Sequence, residues 1–271
     1  MKGKLKMKRT IISISLMLIM AICLCVPAFA AEESGMVVYV TIADGELCLA
    51  SAAVEVSDVD GDENLTINDA LFAAHETYYK GGAEKGYESF DGDYGLAISK
   101  LWGNESGTGY GYYVNDYSAF SLADPVAKGD RITAFVYTDT VAYSDTYCFF
   151  NSAAITADKG ETVELTLSAA GYDENWNPVT LPVAGAKITF NGEETEFVTD
   201  ENGKVNVTFE GKKDVLISAV SDSAVLVPPV CVAEVAGADS EGADWKMIVI
   251  IGAVVIFGGY MVFKTLKNNK K

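Results

Sequence analysis

Histidine is almost absent: His75 is the only one in 271 residues. A histidine-dependent catalytic triad has one candidate and no supporting motif around it, and at mid-helix His75 reads as a solvent-facing side chain. A phosphate loop, paired zinc-ligand spacing and a dinucleotide fingerprint are also missing. Acidic pairs carry no information in a chain with 38 acidic residues. The sequence reads as that of a non-enzyme.

Cysteine is scarce. Cys23 and Cys25 fall in an N-terminal apolar run, leaving Cys48, Cys148 and Cys231. An odd and sparse set excludes a full disulfide framework, although Cys48 with Cys148 has the makings of one bridge and buried thiols are the equal alternative.

Basic residues are scarce between 31 and 245. That stretch holds all 38 acids and 10 of the 20 basic residues, a net charge of −28. Such a surface repels nucleic acid and anionic polymers and suits a solvated extracellular protein that attracts divalent cations.

The ends say where the protein sits. Residues 1–30 have the form of a signal peptide: Lys2, Lys4, Lys6, Lys8 and Arg9, an apolar run from Ile11 to Val26, then Ala28-Phe29-Ala30. Met20-Ala21-Ile22 lacks the small residue a lipoprotein signal places before its cysteine, so ordinary cleavage is expected. Residues 246–263 read as a transmembrane helix, bracketed by Trp245-Lys246 and by the lysines of tail 264–271; seventeen uncharged residues with snorkelling flanks just cross about 30 Å of hydrocarbon. The far-side lysines put the C-terminus in the cytoplasm and the ectodomain outside the cell membrane. The tail resembles a cell-wall sorting signal, yet no Leu-Pro-x-Thr-Gly precedes it, which favours permanent anchoring.

Between these ends two textures alternate. Residues 31–151 read as α+β: strands at Met36–Ile42 and Leu49–Val56, a helix from Thr66 to Tyr79, then short aromatic strands at Gly111–Val114, Arg131–Tyr137 and Thr146–Phe150. Residues 152–235 alternate apolar and polar side chains, with turns at Asn191-Gly192 and Asn202-Gly203, as expected of an all-β immunoglobulin-like sandwich. Residues 236–245 form a flexible linker.

Two constellations carry possible chemistry. Asp58, Asp60, Asp62, Asn64 and Asp69 fall at positions one, three, five, seven and twelve of a calcium loop, with Glu63 where the sharp turn wants glycine. The bland alternative is an acidic turn before a helix N-terminus. Aromatics crowd Trp102 to Phe120. Strand alternation puts Tyr113 and Asn115 on one face and Tyr112 and Val114 on the other, and asparagine is a poor core residue. Tyr113, Asn115 and Tyr117, helped by Trp102, are therefore the expected contacts of an extracellular ligand: a glycan, a peptide or a planar cofactor.

Thr66-Ile67-x-Asp69-Ala70-Leu71, Trp102-Gly103, Tyr113-Val114-Asn115, Gly129-Asp130-x-Ile132 and Tyr137 together resemble the bacterial domain of unknown function related to the C-terminal domain of transcobalamin. The resemblance covers residues 36–150 and implies a β-grasp-like fold with a ligand-capping role. The vertebrate relative closes over cobalamin with the help of a helical barrel for which this sequence has no counterpart, so cobalamin is the less favoured ligand. Asp58 to Asp69 is similar to half of a dockerin repeat. Pro182 to Ile188, Thr199 to Lys204 and Val215 to Ala219 resemble the immunoglobulin-like repeats of bacterial surface proteins, modules that commonly serve as stalks. The combined expectation is a membrane-anchored binding or adhesion protein of the bacterial cell surface; the alternative is a structural envelope protein with no small ligand.

Overall fold

A computed structural model describes residues 35–105, 109–175, 177–211 and 214–237. The expected signal peptide 1–30, transmembrane helix 246–263, tail 264–271 and all but Ala236 and Gly237 of the linker lie outside those residues. Among the described residues no helix is long and apolar enough to cross a membrane.

The chain begins with a hairpin, β1 (Val37–Asp44) and β2 (Glu46–Glu55), folded back at Gly45 in the left-handed region and paired from Asp44↔Glu46 to Val37↔Glu55. Val38, Val40 and Ile42 alternate along β1 and are fully buried on one face. Helix α1 (Ile67–Tyr78) covers that face with Ile67, Ala70, Leu71 and Ala74. Its start is fixed by a capping box: Asp69 accepts the Thr66 N–H at 2.8 Å, and Thr66 Oγ1 accepts the Asp69 N–H. A short helix α2 (Ala83–Gly86) and a hairpin of β3 (Glu88–Gly92) and β4 (Gly95–Lys100) follow.

Strands β5 (Tyr110–Val114), β6 (Tyr117–Ser118) and β7 (Arg131–Val136) complete the first sheet in the order β2-β1-β7-β5-β6. β1 and β7 run parallel at its centre, so everything from Gly45 to Asp130 is one long crossover carrying the helix. Gly111 lies over the ring of Phe135, and a Cβ there would collide with it.

Ten strands make up the remainder: β8 (Thr146–Phe150), β9 (Ala154–Asp158), β10 (Thr162–Tyr172), β11 (Pro178–Pro182), β12 (Lys187–Phe190), β13 (Glu193–Val198), β14 (Lys204–Thr208), β15 (Asp214–Val220), β16 (Leu226–Val227) and β17 (Cys231–Ala236). One sheet has the order β11-β10-β8-β16, with β14 also on β10; the other is β13-β12-β15-β17-β9. Leu165, Leu167, Ile188, Val207, Phe209 and Ile217 fill the space between them. Full burial of such a side chain stabilises a fold by about 1.5–3 kcal/mol. The described part is therefore mostly β, with a two-sheet sandwich.

One expectation needs revision, and one open alternative is decided. Tyr147 to Phe150, expected to close the first module, belong to the sandwich: Cys148, Phe149 and Phe150 pair with β10, and Thr146 and Tyr147 with β16. Pairing on both edges with strands distant in sequence decides this. The three cysteines are free thiols, with Cys148 and Cys231 buried and Cys148 Sγ donating to the Val227 carbonyl at 3.2 Å. Burial pushes the thiols up, to about 11 at Cys48 and about 12 at Cys231.

Candidate functional site

Alternation along β5 separates its residues as expected: Tyr112 and Val114 pack on the helix side of the sheet, Tyr113 on the other. That other face is covered rather than open. Tyr113 stacks on Tyr147 of β8, with ring centroids 3.6 Å apart and planes 5° from parallel, beside Phe135. Burial raises the Tyr113 hydroxyl to about 12, with the Tyr137 and Tyr172 hydroxyls adding to it. The Tyr147 hydroxyl is pushed up further by burial and by Asp116, whose carboxylate accepts from it at 3.0 Å.

Asn115 is not a strand residue. β5 stops at Val114, and Asn115 and Asp116 take φ of +50° and +70° in a two-residue turn to β6, a conformation asparagine and aspartate tolerate. Its amide is spent on the fold: Nδ2 donates to Asp130 Oδ1 at 2.8 Å and Oδ1 accepts the Arg131 N–H at 3.0 Å. Asp116 pairs with Arg131 at 2.6 Å, which neutralises the charge beside the turn.

Beyond this turn lies a groove of about 360 Å³. Tyr113, Asn115 and Tyr117 line one side, and Phe149, Tyr172 and the edge strand β11 the other. Tyr117 is 73% exposed and Tyr172 55% exposed, so two ring faces flank an opening whose floor is half-buried Tyr113 and Phe149. The sandwich wall was not foreseen from the sequence: Tyr172 is 55 residues from Tyr117, and no local pattern connects them.

Trp102 does not join the groove. It lies on the helix side of the sheet, its ring 5.2 Å from both His75 and Tyr79. Its backbone N–H donates to His75 Nε2 at 3.0 Å, while Nδ1 of the same imidazole contacts the Leu71 carbonyl at 2.6 Å. Hence Nδ1 carries the proton and the ring is neutral. His75, expected at the surface, is fully buried; desolvation pushes it down to about 4, against the opposing Leu71 carbonyl. The clue was in the spacing, since His75 follows Leu71 by four residues on the buried helix face. Gly103 belongs to the same lock, as a Cβ there would strike the Tyr79 hydroxyl.

The acidic loop converges in part. Carboxylate oxygens of Asp58, Asp60 and Asp69 lie within 4.8 Å of one another; the Asp62 carboxylate is outside this group and accepts the Asn64 N–H at 2.8 Å. Glu63 adopts φ +67°, so it performs the turn for which glycine is preferred. Asp58 accepts the N–H groups of Gly61 and Glu63, which hold its carboxyl below the usual range. Desolvation and the Asp62 charge push Asp60 up. Asp69 accepts from Val59 N at 2.9 Å with one oxygen and from Thr66 with the other. Three carboxylates with free lone pairs suit a hard cation, which would need further oxygens from the loop or from water.

No family model and no curated protein matches the sequence. Among solved structures, the N-terminal four immunoglobulin domains of Dscam1 isoform 4.44 are similar over 75% of this chain and 44% of that one, with 8% identity and a TM-score of 0.22. Isoform 9.44 gives 8%, the same coverages and 0.21, and isoform 6.9 gives 10%, 73% and 43%, and 0.21. This chain spans less than half the length of each.

Proposed function

We propose that this chain is a single-pass, outward-facing ligand-binding or adhesion protein of the bacterial cell surface. A β-grasp-like module related to the transcobalamin C-terminal domain recognises the ligand, and an immunoglobulin-like sandwich holds it off the envelope. Support for the first assignment comes from the mixed sheet β2-β1-β7-β5-β6 with one helix across it, and for the second from the two packed antiparallel-rich sheets. Anchoring rests on the apolar run 246–263 and its lysine flanks.

The observation that carries the binding reading is the groove: it brings together Tyr113, Asn115 and Tyr117 and adds Tyr172 opposite. With Asp116 paired to Arg131 the groove holds ring faces and neutral polar groups. Pro178 and Pro182 remove two N–H donors from β11, which disfavours an added peptide strand on that wall. A glycan or a planar cofactor held between rings fits better. Cobalamin stays the less favoured planar ligand, and nucleic acid is disfavoured by the charge of −28. A panel of oligosaccharides, peptides and planar cofactors titrated against the wild type and Tyr117→Ala tests the reading; a ligand lost on substitution supports it.

One calcium ion at Asp58, Asp60 and Asp69 belongs to the same proposal as a structural ion that orders the loop before α1. The second reading, an envelope protein without a small ligand, draws on the stacked Tyr113–Tyr147 contact, which suits a stiff two-module rod. Failure of the whole panel would favour it.

A further inference from the structure

The turn that follows β4 is tied to α1 through the chain's only histidine. Leu101 and Asn104 close this turn on each other, the Leu101 N–H donating to the Asn104 carbonyl at 3.0 Å and the Asn104 N–H to the Leu101 carbonyl at 2.9 Å. It is tethered by the Trp102 N–H on His75 Nε2 at 3.0 Å, the Gly103 N–H on the Gly86 carbonyl at 2.9 Å, Asn104 Nδ2 on Asp44 Oδ2 at 2.8 Å and the Tyr110 hydroxyl on the Asn104 carbonyl at 3.0 Å. Trp102 has a φ of +51°, in the left-handed region that a bulky side chain adopts only under constraint. The turn is therefore strained as well as tied.

A proton on His75 undoes one tether directly. Nε2 is the acceptor, so protonation there points an imidazolium N–H at the Trp102 N–H and puts a charge among ring faces: Tyr87 stacked at 4.9 Å, Trp102 at 5.2 Å and Tyr79 at 6.2 Å. The titratable groups facing the imidazole are the phenols of Tyr79 and Tyr87, and phenols do not change charge in acid. Charged side chains on the same elements are engaged elsewhere. Glu76 is exposed and accepts the Ala83 N–H at 2.9 Å, the Lys85 stem lies over Gly81, Lys80 and Glu84 are exposed, and Asp69 caps the other end of α1. Lys100 pairs with Glu105 at 2.8 Å and with Glu88 at 3.7 Å. None of these offsets a charge on the ring.

We infer that His75 is a proton-operated latch: in acid the turn Leu101–Asn104 swings off α1 and exposes Trp102 while both modules stay folded. Leu101, fully buried in the first core, is the pivot. The apolar face of α1, Ile67, Ala70, Leu71 and Ala74, packs on β1 without the turn's polar tethers and keeps its place. Opening lets water hydrate the imidazolium and relieves the left-handed backbone of Trp102, so both terms favour the open turn once the proton is on. A closed ring titrates near 4 and a hydrated one near the ordinary 6.5, which puts the opening between those values. The latch does not depend on the tyrosine groove.

The test uses the full chain carrying Trp176→Phe and Trp245→Phe, which leaves Trp102 as its one tryptophan. Between about pH 7 and about pH 4 the Trp102 emission should shift to the red and its quenching by acrylamide should rise at least twofold, reversibly, with the far-ultraviolet circular dichroism unchanged. In His75→Gln, whose amide oxygen can accept the Trp102 N–H but takes no proton, both signals should be flat over that range. Hydrogen exchange of the wild type, read in parallel, does not rely on the variant's folding: the Trp102 and Gly103 amides should lose protection in acid while Val40 and Ile42 of β1 keep theirs. Acid exposure of Trp102 that persists in a folded His75→Gln variant would overturn the inference. So would loss of protection at Trp102 only together with Val40 and Ile42, or no change at Trp102 across the range.

Discussion

Tyr113 and Tyr147 lie face to face, 3.6 Å between ring centroids, and join the sheet of the first module to the sandwich. A ring serving only as a ligand contact could be lost with little effect on folding. The stack predicts otherwise. Tyr147→Ala should cost about 3 kcal/mol and Tyr113→Ala about 1–2 kcal/mol in chemical denaturation. The double variant should reveal a coupling of about 1 kcal/mol, and strict additivity would mean that the rings touch without mutual stabilisation.

The neutral, buried His75 makes stability depend on pH. Its folded value near 4 is below the ordinary 6.5, so as pH falls below 6.5 the unfolded chain takes a proton that the folded chain refuses. The contribution is whole above pH 6.5 and is lost as pH descends to about 4, on the order of 3 kcal/mol in total. His75→Gln should flatten the stability profile between those values, whatever it does to the baseline. A variant with the wild-type slope would assign that slope to other groups.

Which parts were readable in advance follows from how local their causes are. Thr66 and Asp69 cap a helix whose period is written in Ile67, Ala70, Leu71 and Ala74, and Gly45, Asn191-Gly192 and Asn202-Gly203 mark turns by their backbone demands. Alternation also sorted Tyr112 from Tyr113. What alternation could not show is what covers the second face: β8 meets β10 and β16, and β16 is about 80 residues further on. Nearness in sequence sets Trp102 beside Tyr113 and Tyr117, yet its left-handed backbone turns it toward His75. Tyr172 is the converse case, distant from Tyr117 in sequence and across the groove from it in the fold.

Calcium should raise the melting temperature of the wild type, and the Asp58→Ala, Asp60→Ala variant should not respond. Free ion at a hundred times the dissociation constant contributes about 2.7 kcal/mol. Asp69→Ala should destabilise α1 even in chelator, because Asp69 also caps Thr66. Identical wild-type melting curves in calcium and in chelator would leave a capped acidic turn and no ion.

Topology is open to a whole-cell measurement. Protease added outside should degrade residues 31–245 and leave a lysine-tailed membrane stub. Protection of the ectodomain, or its covalent release to the wall, would contradict the single-pass anchor.

The central claim, that the groove between the turn at Asn115 and β11 is the ligand site, is tested most directly by a neutral glycan array probed with the wild type, Tyr117→Ala and Tyr172→Ala. Tyr117 is 73% exposed, so Tyr117→Ala should melt within about 0.5 kcal/mol of the wild type, and Tyr172→Ala is read only where it melts cooperatively in the same assay. The account predicts a glycan bound by the wild type and weakened at least tenfold by either substitution, as expected for loss of about 1.4 kcal/mol or more of stacking. Retention of full affinity by both folded variants would contradict it.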